Sequence, residues 1–330
     1  MIKREKHIYK SGRKNPDGYS FISFMSFKKK IIFIIFVFSV IFSLIISFLH
    51  ITDIFSWNKL LSTTGFIEGV KRQDSNFVIY YLDVGQSDCT IIVCDDEVLV
   101  IDAGTVNQIH NIKESLFSLE IKEIDYLLVT HQHDDHMAGA SKLIEKYDVN
   151  NIIMPRLSNT NTVDSLTYQD LINNISKRCV NPIAVSAGDS FILGSSTVEI
   201  LSPQKQDDNL NNMSIVLKVT YGETSFLFQG DSESDVEKQL LRSGYDLSAD
   251  ILKVGHHGSN TSSTNIFLET VNPDYAIISC GDDNNYGHPN SFVIERLEGN
   301  NITPYITSIN GNITAISNGK LITIITEKNN

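Results

Sequence analysis

Thr130-His131-Gln132-His133-Asp134-Asp135-His136 follows directly on the apolar run Tyr126-Leu127-Leu128-Val129. Three of the chain's nine histidines fall in this one heptad, together with two aspartates. The apolar run reads as a buried strand. If its end stays extended, His131 and His133 have the period-two spacing that puts them on one side. Asp135 and His136 then diverge as the chain turns. Such a cluster can seat two metal ions, one on each pair of side chains, provided that other segments complete the shells. The plain alternative is a solvated polar loop, a poor setting for so many imidazoles beside a buried strand.

Those other segments come later in the chain. Ser225-Phe226-Leu227-Phe228-Gln229-Gly230-Asp231 places Asp231 just past a buried strand, beside a glycine that permits close backbone approach. A carboxylate there is suited to bridging two ions. Ile251-Leu252-Lys253-Val254-Gly255-His256-His257-Gly258-Ser259 ends a second strand in two adjacent imidazoles, of which one is expected to ligate and the other to face substrate. The sequence does not say which. Tyr275-Ala276-Ile277-Ile278-Ser279 leads on to Tyr286-Gly287-His288-Pro289, a further histidine in a loop after a strand. Each has a bland reading: Asp231 as a helix N-cap, His256 and His257 as surface residues, His288 as a turn residue. Six of nine histidines gathered at strand ends favour one shared site over all of these.

The N-terminal part is of a different kind. Residues 31–49 carry no charge and consist mostly of Ile, Phe, Val and Leu, close to the roughly 20 residues needed to cross a bilayer. This predicts one transmembrane helix. A cleaved signal peptide is the competing reading, but the run is too long for the usual apolar core and His50-Ile51-Thr52-Asp53 offers no small-x-small cleavage site. Ser39, Ser43 and Ser47 recur on one face, either for close packing on a partner helix or, more simply, for bonding back to their own helix. Residues 1–30 form a basic segment, with nine Lys and Arg against Glu5 and Asp17. The positive-inside rule then predicts a single-pass cell-membrane protein with a cytoplasmic N-terminus and an extracellular remainder. Residues 50–76 read as a linker, with the lone Trp57 at the membrane interface.

The whole chain has 27 Lys+Arg against 39 Asp+Glu. Removing the basic segment leaves the rest near −19, a field that repels polyanions. Nucleic-acid binding through a basic face is excluded, so any such substrate must be held by local metal charge. Cys89, Cys94, Cys179 and Cys280 lack metal-ligand spacing; they read either as two disulfides or as small buried hydrophobes.

Residues 77–330 are long enough for one domain with a large core. Strands are predicted at 77–82, 90–94, 98–101, 126–129, 151–154, 198–201, 214–220, 225–228, 250–254, 275–279, 304–308, 313–317 and 321–326. Helices are predicted at 111–119, 138–147, 163–178, 233–243, 265–271 and 291–297, and a polar loop at 202–213. Strands and helices alternate in both halves, so two mixed sheets between helical layers are expected, an α/β fold.

The H-x-H-x-D-H pattern after a strand resembles the metallo-β-lactamase fold superfamily, which implies an αββα four-layer sandwich. More narrowly, Tyr81-Leu82-Asp83-Val84-Gly85-Gln86-Ser87-Asp88, Ile101-Asp102-Ala103-Gly104, Asn211-Asn212-Met213-Ser214, Gln229-Gly230-Asp231, Lys253-Val254-Gly255-His256-His257-Gly258-Ser259 and Tyr286-Gly287-His288-Pro289 are similar to the C-terminal hydrolase domain of the ComEC/Rec2 competence proteins. The resemblance runs from about Phe77 to the end. It implies His131, His133, Asp135 and His136 as metal ligands, Asp231 as the bridging one, and Asp102 as a buried carboxylate behind them. Two departures stand out. No histidine occurs between His136 and His256, where many members of the superfamily place a ligand, and Ser87 replaces the usual glycine. The first leaves one ion short of a donor, to be completed by water or Asn212, and sets manganese beside zinc as a candidate. With one predicted span in place of the multi-span channel of the competence proteins, import through a pore of its own is not expected.

The expected reaction is hydrolysis by a metal-activated hydroxide, two divalent ions lowering the pKa of a shared water and holding an anionic oxygen. Phosphodiesters suit such a site. Asp135 is expected at the reacting centre, His257 or His288 as proton donor to the leaving group, and Asn212 or Ser259 as hydrogen-bond partner of a phosphoryl oxygen. The resemblance implies a nuclease acting on DNA strands. The acidic charge keeps open a phosphorylcholine-type envelope ester as substrate, and the missing histidine a non-catalytic anchored binding module.

Overall fold

A computed structural model describes residues 27–51, 71, 73, 75–156 and 165–328. The chain divides into two compact units, Met1–Leu60 and Leu61–Asn330. The first contributes one helix, Phe27–Ile51, of 25 residues. Its side chains are described over residues 31–44, where Ile32 is 65 % and Phe38 70 % exposed. Among the described residues no helix is long and apolar enough to cross a membrane. The predicted span of residues 31–49 reaches past the described side chains, and the readings of residues 1–26 and of Trp57 lie outside the described residues altogether.

The second unit is built from fifteen strands. In chain order they are β1 Phe77–Tyr81, β2 Thr90–Cys94, β3 Glu97–Ile101, β4 Glu123–Leu128, β5 Asp148–Pro155, β6 Asn181–Val185, β7 Ser190–Leu193 and β8 Ser196–Ser202. There follow β9 Val216–Tyr221, β10 Thr224–Phe228, β11 Ile251–Lys253, β12 Tyr275–Ile278, β13 Thr303–Ile306, β14 Ile313–Ser317 and β15 Ile322–Thr326. An eight-stranded sheet runs β15-β14-β1-β2-β3-β4-β5-β6, and a seven-stranded sheet β13-β12-β11-β10-β9-β8-β7.

Continuous apolar runs such as Phe77-Val78-Ile79-Tyr80-Tyr81 have no polar face to offer water, so both faces must be covered. The structure covers both. Phe77, Ile79 and Tyr81 enter a core between the sheets, shared with Val219, Phe226, Phe228 and Ile277. Val78 and Tyr80 face the opposite way, into a core with Ile112 and Leu116 of helix Ile109–Ser118 and Leu171 of helix Leu166–Arg178. A third core joins the outer face of the seven-stranded sheet to helices Ser234–Ser243, Asn265–Val271 and Ser291–Gly299. The order of layers is therefore α, β, β, α. Aromatic contacts such as Phe77 on Tyr221, ring centroids 4.7 Å apart, and Phe77 on Phe226 at 5.2 Å lock the sheets together; such a pair adds ~0.5–1.5 kcal/mol beyond burial.

Within the sheets, β3 to β6 pair in parallel, as do β10 to β13. Parallel neighbours need crossovers, and the helices supply them. Loops after the carboxyl ends of parallel strands then gather at one edge of each sheet, the usual place for a ligand site.

Strand β2, strand β14 and helix Asn265–Val271 have the predicted bounds. Strands β9 and β10 form a hairpin that turns at Gly222 and Glu223, with Tyr221 opposite Thr224. The helix predicted from 163 begins at Leu166, because Ser165 takes the N-cap and its hydroxyl accepts from the Tyr168 N–H. Strands β6 and β7 had no counterpart in the sequence reading; both are sheet edges with exposed positions, and β6 contains Pro182, tolerated in an edge strand. All four cysteines are free thiols, with Cys89, Cys94 and Cys280 buried and Cys179 exposed.

Candidate metal centre

Strand β4 ends at Leu128, and the next residues are fixed from behind. Asp102, just past β3, accepts from the Thr130 N–H at 2.7 Å and from its hydroxyl at 2.8 Å. The other oxygen-held group is His136, whose Nδ1 lies 2.7 Å from Asp102 Oδ2. Because a carboxylate faces Nδ1, the proton sits there and the Nε2 lone pair turns toward the cleft. Asp102 adopts φ +59°, a left-handed conformation costly for a non-glycine residue and common at functional sites.

Asp231 occupies the centre. Its Oδ1 is 3.2 Å from His136 Nε2, and its Oδ2 is 3.7 Å from His257 Nε2, 3.8 Å from His256 Nε2 and 3.9 Å from His131 Nε2. One carboxylate thus touches both halves of the predicted site. The Asp231 backbone N–H donates to the Ser214 hydroxyl at 3.0 Å. Glu233, not Asp231, takes the N-cap of helix Ser234–Ser243, so the capping alternative for Asp231 falls away.

His131 and His133 lie side by side, Nε2 to Nδ1 3.0 Å, as period-two spacing predicts. Asp135 Oδ2 is 3.3 Å from His257 Nε2 and 4.0 Å from His136 Nε2. His256 and His257, with φ +50° and +54°, are sent apart by consecutive left-handed conformations. His257 is buried, and its Nδ1 faces the Ser279 carbonyl at 3.0 Å, which leaves Nε2 free to ligate. His256 is partly exposed, with Nδ1 3.2 Å from the Thr261 hydroxyl.

Asp88, His136, Asp231 and His257 each offer an atom within 4.8 Å of the others. His136 Nε2, Asp231 Oδ1 and His257 Nε2 are buried with no hydrogen-bond partner. Orphaned lone pairs converging on one point fit a bound cation, since leaving such groups unsatisfied is otherwise costly. The donors are imidazole and carboxylate without thiolate, a set suited to zinc or manganese.

The charges agree. Burial alone would push the Asp231 carboxyl up, but His136 and His257 hold it well below the usual range. Burial would likewise strip His136 of its proton, yet Asp231 and Asp102 raise its pKa well above the ordinary value, so a cation at Nε2 would take the place of a proton there and its binding would release that proton. Asp135 also stays ionised, its burial outweighed by His257 and His136. His131 is lowered well below by burial and by His136, which leaves it neutral, as a ligand must be.

Asp88 and its partner Lys253 had no role in the sequence reading. Asp88 is buried, and its carboxylate lies 2.8 Å from Lys253 Nζ, itself buried in β11. The signal was a lysine in an otherwise apolar strand, which demands a buried anionic partner. The structure also redraws residues 211–214. Asn212 is turned away, donating to Asp207 Oδ2 and accepting from the Glu233 N–H, while Asn211 lines the cleft. Ser259 engages Thr261 at 3.1 Å and does not line the cleft.

His288 does line it, and its tautomer is fixed from outside. The Gly281 N–H can only donate, so the Gln86 atom 3.2 Å from it is Oε1. Gln86 Nε2 therefore donates to His288 Nδ1, also at 3.2 Å. The His288 proton then sits on Nε2. Burial, with His257 and His256 nearby, lowers the His288 pKa to about 4.

Residues 82–162 match the family described as Metallo-beta-lactamase superfamily. The chain is 31 % identical over 194 residues to ComE operon protein 3 of Bacillus subtilis (strain 168), covering 58 % of this chain and 24 % of that protein. It is 32 % identical over 108 residues to Exodeoxyribonuclease YycJ of Bacillus anthracis, covering 32 % of this chain and 36 % of that protein. Among solved structures it is similar to CmlA, a diiron β-hydroxylase from Streptomyces venezuelae, with a TM-score of 0.50 and 15 % identity over 81 % of this chain and 59 % of that one. At that identity the likeness speaks for the fold alone. The chain spans between 24 % and 34 % of the length of the competence and recombination proteins it matches.

Proposed function

We propose that the chain is a metal-dependent hydrolase of the metallo-β-lactamase superfamily and that it hydrolyses phosphodiesters, with single-stranded DNA as substrate. The observation that carries the reading is Asp231, whose carboxylate lies 3.2 Å from His136 and 3.7 Å from His257 of one ligand group and 3.9 Å from His131 of the other. A carboxylate shared between two ligand groups suits a pair of divalent ions, and such pairs serve in-line displacement at phosphorus. A relative named as an exodeoxyribonuclease supports the same substrate class.

His136, Asp231, His257 and Asp135 would hold one cation, with Asp88 behind them; His131, His133 and Asp231 would hold the other. When bound, zinc or manganese supplies Lewis acidity toward a phosphoryl oxygen and toward water. Asp102 and the Ser279 carbonyl keep the protons of His136 and His257 on Nδ1, so that each presents an Nε2 lone pair. His288 is neutral at pH 7 and carries its proton on Nε2, which makes it a hydrogen-bond donor to a phosphoryl oxygen in place of the proton source expected from sequence. Asn211 takes over the polar role expected of Asn212.

The cleft, about 600 Å³, has no Lys or Arg in its lining among the described residues. That observation favours, as a second reading, a small envelope phosphoester of the phosphorylcholine type. For placement, the uncharged run of residues 31–49 and the basic residues before it support a single-pass anchor with the hydrolase unit outside the cell.

The test is incubation of the purified full chain with labelled single-stranded DNA and p-nitrophenyl phosphorylcholine, in zinc or manganese. The expected result is DNA degradation that a chelator stops and Asp135→Ala abolishes. Intact DNA under every metal condition removes the nuclease reading, and turnover of the choline ester alone puts the second in its place.

A further inference from the structure

We propose that Tyr286 is a nucleobase-stacking platform at the mouth of the cleft, so that substrate is held by a base as well as by its phosphate; the proposal rests on the phosphodiesterase reading. Tyr286 lines the cleft together with His256, His257 and His288. It is 74 % exposed. Its ring lies at 21° to that of His288, with centroids 5.7 Å apart, so one ring face is supported by the site and the side chain is otherwise open to solvent.

The backbone beneath it is clamped. Asn284 Oδ1 accepts from the Tyr286 N–H at 3.2 Å and the His288 N–H at 2.8 Å, and its Nδ2 donates to the Gly281 carbonyl at 2.7 Å and the His288 carbonyl at 2.6 Å. An exposed aromatic ring contributes little to folding, whereas one held on a braced loop beside a hydrolytic centre is preorganised for a flat partner. With no Lys or Arg in the cleft lining among the described residues, attraction to the phosphate backbone there is weak. Stacking is the sequence-tolerant contribution that remains, since every base has a π-face.

The experiment compares Tyr286→Ala, Tyr286→Phe and, as a control, Phe292→Ala, an exposed aromatic that does not line the cleft. Each variant of the metal-loaded full chain is assayed on the p-nitrophenyl ester of thymidine 5′-phosphate and on methyl p-nitrophenyl phosphate. The ratio of kcat/KM for the nucleotide ester to that for the methyl ester is expected to fall roughly 5- to 100-fold in Tyr286→Ala, through KM, as for loss of one stacked base. It should stay within about twofold in Tyr286→Phe and Phe292→Ala, as both keep the Tyr286 ring face. An unchanged ratio in Tyr286→Ala overturns the proposal.

Anisotropy of a labelled phosphorothioate thymidine decamer and its abasic counterpart gives a readout without turnover. Tighter binding of the base-bearing strand by the wild type, with the preference lost in Tyr286→Ala, supports the platform; no preference in the wild type sinks it. Failure of the wild type to hydrolyse either ester counts against the phosphodiesterase reading, and the anisotropy still decides the platform.

Discussion

Asp102 accepts from the Thr130 N–H, the Thr130 hydroxyl and His136 Nδ1, so one carboxylate sets both the backbone entering the histidine cluster and the tautomer of His136. Asp102→Asn exchanges an acceptor for an amide and is expected to lower metal affinity about 10- to 100-fold, as read by chelator competition. Lys253 neutralises Asp88 in a buried setting. Lys253→Met strands that carboxylate and should cost ~3–5 kcal/mol in denaturant unfolding; the double variant Lys253→Met/Asp88→Leu should recover most of the loss. Recovered stability with lost metal binding would mark Asp88 as a ligand. At this scale the histidines and Asp231 were legible because residue type alone announces them after strands. Asp88 was not, since one aspartate in a loop motif has no periodicity to betray its burial. The choices between His256 and His257, and between Asn211 and Asn212, depend on left-handed and 3-10 turns that a sequence pattern does not specify.

Elements buried on both faces or firmly capped were the most legible. Strands β2 and β14 are almost wholly buried, and helix Asn265–Val271 ends at Asn272 in the left-handed conformation that stops helices. Edge strands β6 and β7, half exposed, carry neither a continuous apolar run nor clean alternation. One close approach governs the site at this scale. At Gly139 a Cβ would sit 2.0 Å from the Ala103 carbonyl oxygen, and the neighbouring Ala103 N–H donates to the His136 carbonyl at 2.7 Å. Gly139→Ala should therefore push helix Ala140–Lys146 off the loop after β3, costing about 1–3 kcal/mol by denaturant melt and weakening metal binding with it. Full stability in that variant would show that the contact relaxes freely.

For the whole molecule, a net charge of −12 and a cleft lining without Lys or Arg among the described residues give the proposed nuclease reading an unusual salt behaviour. KM for single-stranded DNA is expected to change by less than about tenfold between 50 and 200 mM salt, against the ~10³-fold or more of a protein that makes six to ten phosphate contacts. A steep slope would reveal a basic track outside the cleft. The four free thiols predict that a reductant leaves the Tm unchanged. The layering was legible because alternating strands and helices in two halves admit few other arrangements. The anchor proposed from composition is checked, together with its orientation, by adding protease to intact cells, which should release the hydrolase unit; full protection would reverse the proposed topology.

The central claim is that one carboxylate, Asp231, joins two ligand groups into a single hydrolytic metal centre. It is tested most directly by measuring bound metal and bis(p-nitrophenyl) phosphate turnover together in the wild type and in Asp231→Ala. The account predicts close to two divalent ions per chain with chelator-sensitive turnover in the wild type, and loss of both metal and at least 10²-fold of the rate in the variant. Metal-free wild-type protein at the background rate, or a variant that keeps metal and rate, would contradict it.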